Sequence, residues 1–386
     1  PPAPPDPGAR MSWDNLHHGA AALATARAAE AFAGLTLVVT NSTANAQRWR
    51  DELTFYAGAA ATATPAPEIL HFPDWETLAY DGFSPHQDIV SERLATLHRL
   101  PSVRQGILVV SVQTLLQRIA PRSYLDGYSL ALAVGQPYHV ASERQRLAAA
   151  GYSAVEVVGA RGEYAVRGSL LDIFPMGAAD PVRMDLLDDE IDSLRTFDPE
   201  SQRTIARIDQ IEMLPAKEYP FDADAVALFR RRWHETFDVD VRRCGIYQDV
   251  STGIQPSGVE YYLPFFFTEL GSLLDYLPAA TLVVREAGLT VTEEGFLADV
   301  KGRYESLRHD VERPILAPNK LFLGQEELHA GLKRFGQIVI NGGTELKHSE
   351  AFQSRPMPDL QANPRQKNPA AALLQFLDQV PTPPLF

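Results

Sequence analysis

A nucleotide-handling loop is the first chemistry to look for. It needs glycines for a tight turn, a lysine to reach the terminal phosphates and a hydroxyl for Mg²⁺. None of the 386 residues falls in the spacing GxxxxGK[ST]. The one candidate is His17-His18-Gly19-Ala20-Ala21, ahead of an alanine-rich run. The start of a helix there would attract an anion only as any helix N-terminus does. Ala20 to Ala24 supply neither ammonium nor hydroxyl, and Thr25 lies a full turn inside the predicted helix. The residues therefore predict no ATP hydrolysis and no resident cofactor.

Other chemistries are equally poorly provided for. Asp188-Asp189-Glu190 and Asp192 resemble an acidic box, but carboxylates hold Mg²⁺ best when substrate phosphates complete the shell. With no phosphate loop beside them, they read as a solvated acidic turn, with a protein contact as the alternative. The ten histidines do not cluster at ligand spacing, HExxH is absent, and His234-Glu235 lacks a second histidine. No GxSxG elbow is present. The single cysteine, Cys244, excludes a disulfide framework and any site needing several thiolates.

Two groups of residues remain as candidate binding chemistry. Trp75, Tyr80, Phe83 and His86, within DWETLAYDGFSPHQD, could stack on a base. The plainer reading is that the aromatics pin a loop against a sheet. Arg161, Arg167, Arg183, Arg195 and Arg203 are spread over a run of short predicted strands. If several share a face, they form a surface suited to a carboxylate-bearing protein partner. The competing reading pairs them with Glu163, Asp172, Asp185 and Asp188 on a solvated face, and spacing does not decide between the two.

The elements that must position these groups follow from composition and pattern. Apolar residues are 45% of the chain, enough to build cores for two or three domains. The formal net charge of −14 opposes phosphate backbones unless basic groups cluster. No apolar run is long enough to span a bilayer, and a soluble, cytoplasmic protein is expected. The start PPAPPDPGAR is neither an initiator methionine nor a signal peptide, and the end stops after a helix and a Pro-rich turn. Both ends suggest a piece of a longer polypeptide that continues past Phe386.

Short apolar runs at 35–40, 68–72 and 106–111 alternate with predicted helices at 19–33, 44–56, 88–100 and 112–119, which indicates a largely parallel α/β sheet. Beyond residue 120 the pattern shifts to closely spaced strands with Gly, Pro and Asp turns, at 155–158, 162–168, 169–175, 182–189 and 193–198. A strand within 203–220 leads out of this mostly antiparallel insert. A charged helix at 222–243, a strand at 281–286, a long helix at 291–310 and a strand at 337–340 return to the α/β type. Residues 343–367 read as a linker. The expected organisation begins with a leader at 1–10. An α/β domain follows in two stretches, 11–119 and 211–345, separated by an insert at 120–210. A linker opening a further domain covers 346–386.

Two long runs carry a family resemblance. FPDWETLAYDGFSPHQDIVSERLATL (72–97) and GEYAVRGSLLDIFPMG…PVRMDLLDDEIDSLRTFDPESQRT (162–204) resemble the N-terminal module of the bacterial transcription-repair coupling factor (Mfd) family. The resemblance extends over most of residues 11–350, and the GEYxxRGxxxDIFP type of segment is shared closely with the repair helicase UvrB. It implies a degenerate helicase-like domain, RecA-like and derived from a phosphate-loop fold, with an inserted mixed α/β domain as in UvrB. The phosphate-loop position would fall on Gly19, Ala20 and Ala24.

The resemblance also implies the partners. The inserted domain is the region that UvrA binds. RNA polymerase and DNA are handled by other regions of the parent protein, an ATP-dependent translocase. The UvrA-contacting arginines fall on Arg167 and Arg183. A family aromatic falls on Leu187, which keeps an apolar contact and loses the ring. Gly162, Gly168, Arg161 and Arg195 would support the surface, and other domains of the parent would mask it at rest. The implied function is non-catalytic UvrA recruitment. A helicase core with residual ATPase and a direct DNA-binding module are the alternatives.

Overall fold

The computed structural model describes residues 2–17, 19–59, 66–343, 346, 348–356, 360 and 368–379. His18 of the candidate phosphate loop, much of the expected linker and the final Pro-rich turn lie outside the described residues.

The largest sheet has seven strands, in the order Ser349–Ala351, Arg10–Asp14, Gly336–Ile340, Thr281–Glu286, Leu35–Thr40, Gly106–Ser111 and Glu68–Phe72. Every neighbouring pair is parallel. Leu35–Thr40 and Gly106–Ser111 are buried at every position. Strands covered on both faces must be apolar on both, which is why these runs show no alternation. Leu37, Val39, Leu108 and Val110 enter the core on one side, and Val38, Ile107 and Val109 enter the core on the other. That second core is closed by Gly19–Ala31, whose buried Ala22, Ala26 and Ala29 let the helix lie close to the sheet.

A smaller sheet of six strands runs Thr204–Ile208, Glu190–Phe197, Val182–Leu187, Leu170–Ile173, Glu163–Arg167 and Ser153–Ala154. Its pairs are antiparallel except the last. Side chains alternate across it. Tyr164, Leu171, Ile173, Val182, Met184 and Leu194 face the main core, while the residues between them turn to the opposite side.

The smaller sheet is reached and left at one place. The Tyr124 hydroxyl, before it, donates to the Lys217 carbonyl, after it, at 3.0 Å. Just inside that join, Leu130–Ala133 pairs antiparallel with Gln210–Met213. Arg93, on helix Gln87–Arg99, reaches Glu218 beside the exit. Beyond it, Phe229, Trp233, Tyr262, Phe265 and Phe266 build a separate aromatic core.

Several sequence expectations are corrected. Arg10–Asp14, whose first residue was expected in a leader, is an inner strand of the large sheet with Trp13 fully buried. The helix expected at 112–119 is one turn, Val112–Leu115, followed by a strand at Arg118–Ile119 that pairs with Gly271–Ser272. The Leu116 carbonyl is taken by the Leu323 N–H, so the turn does not propagate. Residues 155–158 form no strand; Val158 instead fills a small core with Ala165, Phe174 and Phe197. The charged helix ends at Thr236, and a short 3₁₀ turn follows at Val241–Arg243. Within the expected linker, Ser349–Ala351 forms the edge of the large sheet.

Candidate functional site

The loop from strand Arg10–Asp14 to helix Gly19–Ala31 is where an anion would have to sit. Its described backbone donors at Leu16 and His17 are already engaged. The Leu16 N–H donates to Asn341 Oδ1 at 3.0 Å, and Asn341 Nδ2 returns a bond to the Leu16 carbonyl at 2.7 Å. The His17 N–H donates to Ser354 Oγ at 3.0 Å, and that hydroxyl donates to the Asn15 carbonyl. The Tyr56 hydroxyl stands 2.7 Å from where a Cβ on Gly19 would lie, so the helix start is crowded by a side chain. Ala20 is half-buried, and Ala24 and Thr25 are buried.

Sequence reasoning missed Glu286, at the carboxyl end of its parallel strand, where open α/β sheets tend to place functional groups. Its carboxylate accepts from the Asn41 N–H at 2.7 Å, Asn45 Nδ2 at 3.0 Å and Trp49 Nε1 at 2.9 Å. It is therefore spent on bracing Asn41 and the first turns of the helix Thr43–Ala59. Among the described residues no group of three or more His, Cys, Asp or Glu side chains could hold a metal ion.

The aromatic loop follows the plainer of its two readings. Trp75 and Tyr80 are buried, Trp75 Nε1 donates to Glu218 at 3.2 Å, and both rings pack on Tyr261. Phe83 and His86 are exposed and are not gathered with them into a stacking platform.

The arginines of the smaller sheet are organised differently. Register sets Arg183 opposite Asp172 on one side and opposite Arg195 on the other. Arg167 lies opposite Leu170, two residues from Asp172. All therefore share the face turned away from the main core. Arg183 grips Asp172 with Nε at 2.7 Å and Nη2 at 2.8 Å, and Arg167 Nη2 donates to the same carboxylate. The Arg183 guanidinium lies over the Phe197 ring at 4.8 Å. Hydrogen bonding to Asp172 holds its pKa above the usual arginine value. Asp185 accepts from Arg195 and from Ser193 Oγ, the latter at 2.7 Å.

The geometry does not by itself decide between the two sequence readings of these arginines. Arg167, Arg183 and Arg195 are paired with acids, and three positively charged groups still share one side of the sheet. Arg161 is not among them. It bonds Asp88 and the Ala178 carbonyl, tying the smaller sheet to the first turn of helix Gln87–Arg99. Glu163 caps the backbone N–H groups of Gly159 and Ala160 instead of an arginine. Arg203 is exposed.

Leu187 ends its strand at 63% exposure, two residues past Asp185 and on the same side. Asp188 and Asp189 follow with φ of 48° and 63°, a two-residue hairpin turn. The acidic box is therefore the tip of a hairpin. Gly168 also has positive φ, 63°, in the turn after Arg167, and nothing crowds it. Gly162, at φ 82°, opens the Glu163–Arg167 strand against Ala216.

With this geometry in place, comparison with known proteins is specific. A family model described as the UvrB interaction domain matches residues 130–219. The chain is 41% identical to the transcription-repair-coupling factor of Escherichia coli (strain K12) over 384 residues, 98% of this chain and 33% of that protein. It is 40% identical to the transcription-repair-coupling factor of Haemophilus influenzae over 383 residues, 98% of this chain and 32% of that protein. The Myxococcus xanthus factor is 29% identical over 326 residues, covering 78% of this chain and 26% of that protein. The chain thus spans about a third of the length of the first two curated relatives.

Proposed function

From a chain homologous to transcription-repair-coupling factors over 98% of its length, with a UvrB interaction domain at 130–219, we propose a non-catalytic module that recruits UvrA. In this reading the large sheet is a degenerate helicase-like domain that no longer holds a nucleotide. The smaller sheet is the UvrA-binding region. A parent protein would displace stalled RNA polymerase on DNA through other regions, and these would mask the docking face until activation.

The observation that carries this reading is the side of the smaller sheet bearing Arg167, Arg183 and Leu187. Two guanidinium groups and an exposed apolar side chain lie together on an otherwise acidic chain. Arginine forks make strong charge-assisted bonds to carboxylates, and a desolvated apolar neighbour strengthens them. The engaged donors around Leu16 and His17 support a fold without a nucleotide site.

Binding to purified UvrA tests the reading. Truncating a buried charged contact costs about 2–5 kcal/mol of binding. The Arg167→Ala/Arg183→Ala double variant strands the buried Asp172 carboxylate and is expected to melt lower. It is therefore titrated with UvrA at a temperature where circular dichroism shows it folded, and there it is expected to lose UvrA. Wild-type affinity in that variant would remove the assignment.

A further inference from the structure

The two arginines of the proposed docking face do not act independently. Asp172 is 1% exposed, and its carboxylate serves Arg167 and Arg183 from strands on either side of its own. Arg183 spends Nε and Nη2 on it. Arg167 spends Nη2. The Phe197 ring lies 4.8 Å from the Arg183 guanidinium and backs its plane. Donors not used on Asp172 remain on both arginines, whose side chains are 48% and 19% exposed.

We infer that Asp172 is a positioning residue: it locks two guanidinium groups in one layer before a partner arrives and leaves their unused N–H groups for a carboxylate-bearing protein surface. This rests on the UvrA reading and deepens it. Asp172 itself is too buried to touch a partner. A free arginine loses most of its side-chain freedom when it docks, and that loss weakens binding. Here the loss has already been taken in the folded chain.

A second effect of Asp172 opposes this one. Its negative charge cancels one of the two positive charges that would attract an acidic partner. Attraction through water is screened within about 8 Å at about 0.15 M salt, whereas the cost of ordering side chains is not. Positioning therefore wins near physiological salt.

Asp172→Asn keeps the volume and removes the charge. Its amide nitrogen meets guanidinium donors instead of accepting them, so at least one arginine is released. The test titrates purified UvrA into the wild-type 386-residue chain, Arg183→Ala and Asp172→Asn at about 0.15 M salt. Asp172→Asn is expected to bind about tenfold more weakly, the equivalent of ordering two arginine side chains. Nitrogen-15 arginine spectra supply a readout that a purely structural role would not move. In wild type the Arg183 Nε–H should exchange slowly with water and keep a distinct shift. In Asp172→Asn both features should disappear.

Loss of binding in Arg183→Ala with wild-type or tighter binding in Asp172→Asn overturns the positioning role and leaves the UvrA reading standing. Wild-type binding by Arg183→Ala overturns the UvrA reading and the inference with it. If circular dichroism shows that Asp172→Asn is unfolded, the wild-type spectrum decides. A fast-exchanging Arg183 Nε–H overturns the inference, and a protected one upholds it.

Discussion

Arg93 and Glu218 form an ion pair sealed from solvent, with side chains 0% and 3% exposed and Nε 2.5 Å from Oε1. It fastens a helix of the large sheet to the segment that leaves the smaller one. Arg93 also donates to the Pro73 carbonyl at 2.7 Å and lies 4.2 Å from the centre of the Phe72 ring. Glu218 takes a further bond from Trp75 Nε1. Breaking such a pair strands a buried charge, which costs about 3–5 kcal/mol, whereas replacing both partners with apolar residues is often neutral. Arg93→Ala is expected to fall in that range in urea unfolding. Arg93→Met/Glu218→Leu should recover most of the loss. Equal destabilisation by the single and double changes would show that the pair is not the source.

Glu260 gives a pH dependence with a definite sign. Burial raises its pKa above the usual carboxylate value, despite a bond from Ser84 Oγ at 2.8 Å. A carboxyl raised in the folded state favours folding while it is protonated. That contribution is lost as pH rises through the raised value. Glu260→Gln should therefore melt higher than wild type at neutral pH and lose this advantage in acid. Parallel melting curves from acid to neutral pH check it, and a constant difference would contradict it.

Gly258 has φ 76°, and a Cβ there would stand 2.8 Å from the Asp81 carbonyl oxygen. Gly258→Ala must strain the backbone and push against a main-chain atom. A loss of about 1–3 kcal/mol is expected in thermal unfolding. Gly168→Ala, where the φ is 63° and nothing lies within 4 Å, should cost less.

Leu187 separates binding from stability. At 63% exposure its truncation to Ala should change stability by no more than about 0.5 kcal/mol. Its loss from the docking face should still weaken UvrA binding measurably. Unchanged binding would confine the contact to the arginines.

A fluorescent ATP analogue should show no saturable change in anisotropy with this chain, because the Leu16 and His17 N–H groups are bonded to Asn341 and Ser354. Saturable binding by the wild-type chain would contradict the proposed loss of the nucleotide site.

Much of this was legible in the sequence where one element explains itself. Leu35–Thr40 and Gly106–Ser111 are short, mostly apolar runs without alternation, as a strand covered on both faces requires, and every position in them is buried. Arg10–Asp14 and Ser349–Ala351 were not legible. Each is five residues or fewer, and their strand character comes from pairing with each other and with Gly336–Ile340. The arginines announced themselves by type. Their common anchor did not, because Asp172 lies five residues from Arg167 and eleven from Arg183, and only the register of three strands brings them together. Local spacing likewise gave no sign that Glu286 would be claimed by Asn41, Asn45 and Trp49, since those partners lie far away in the chain.

The bond from Tyr124 to the Lys217 carbonyl means that the chain departs for the smaller sheet and comes home through a single doorway. A stretch whose two ends meet is a cassette. Its inner face is nevertheless built into the host's own core, so cutting it out would lay Leu94, Leu97 and their neighbours open to water.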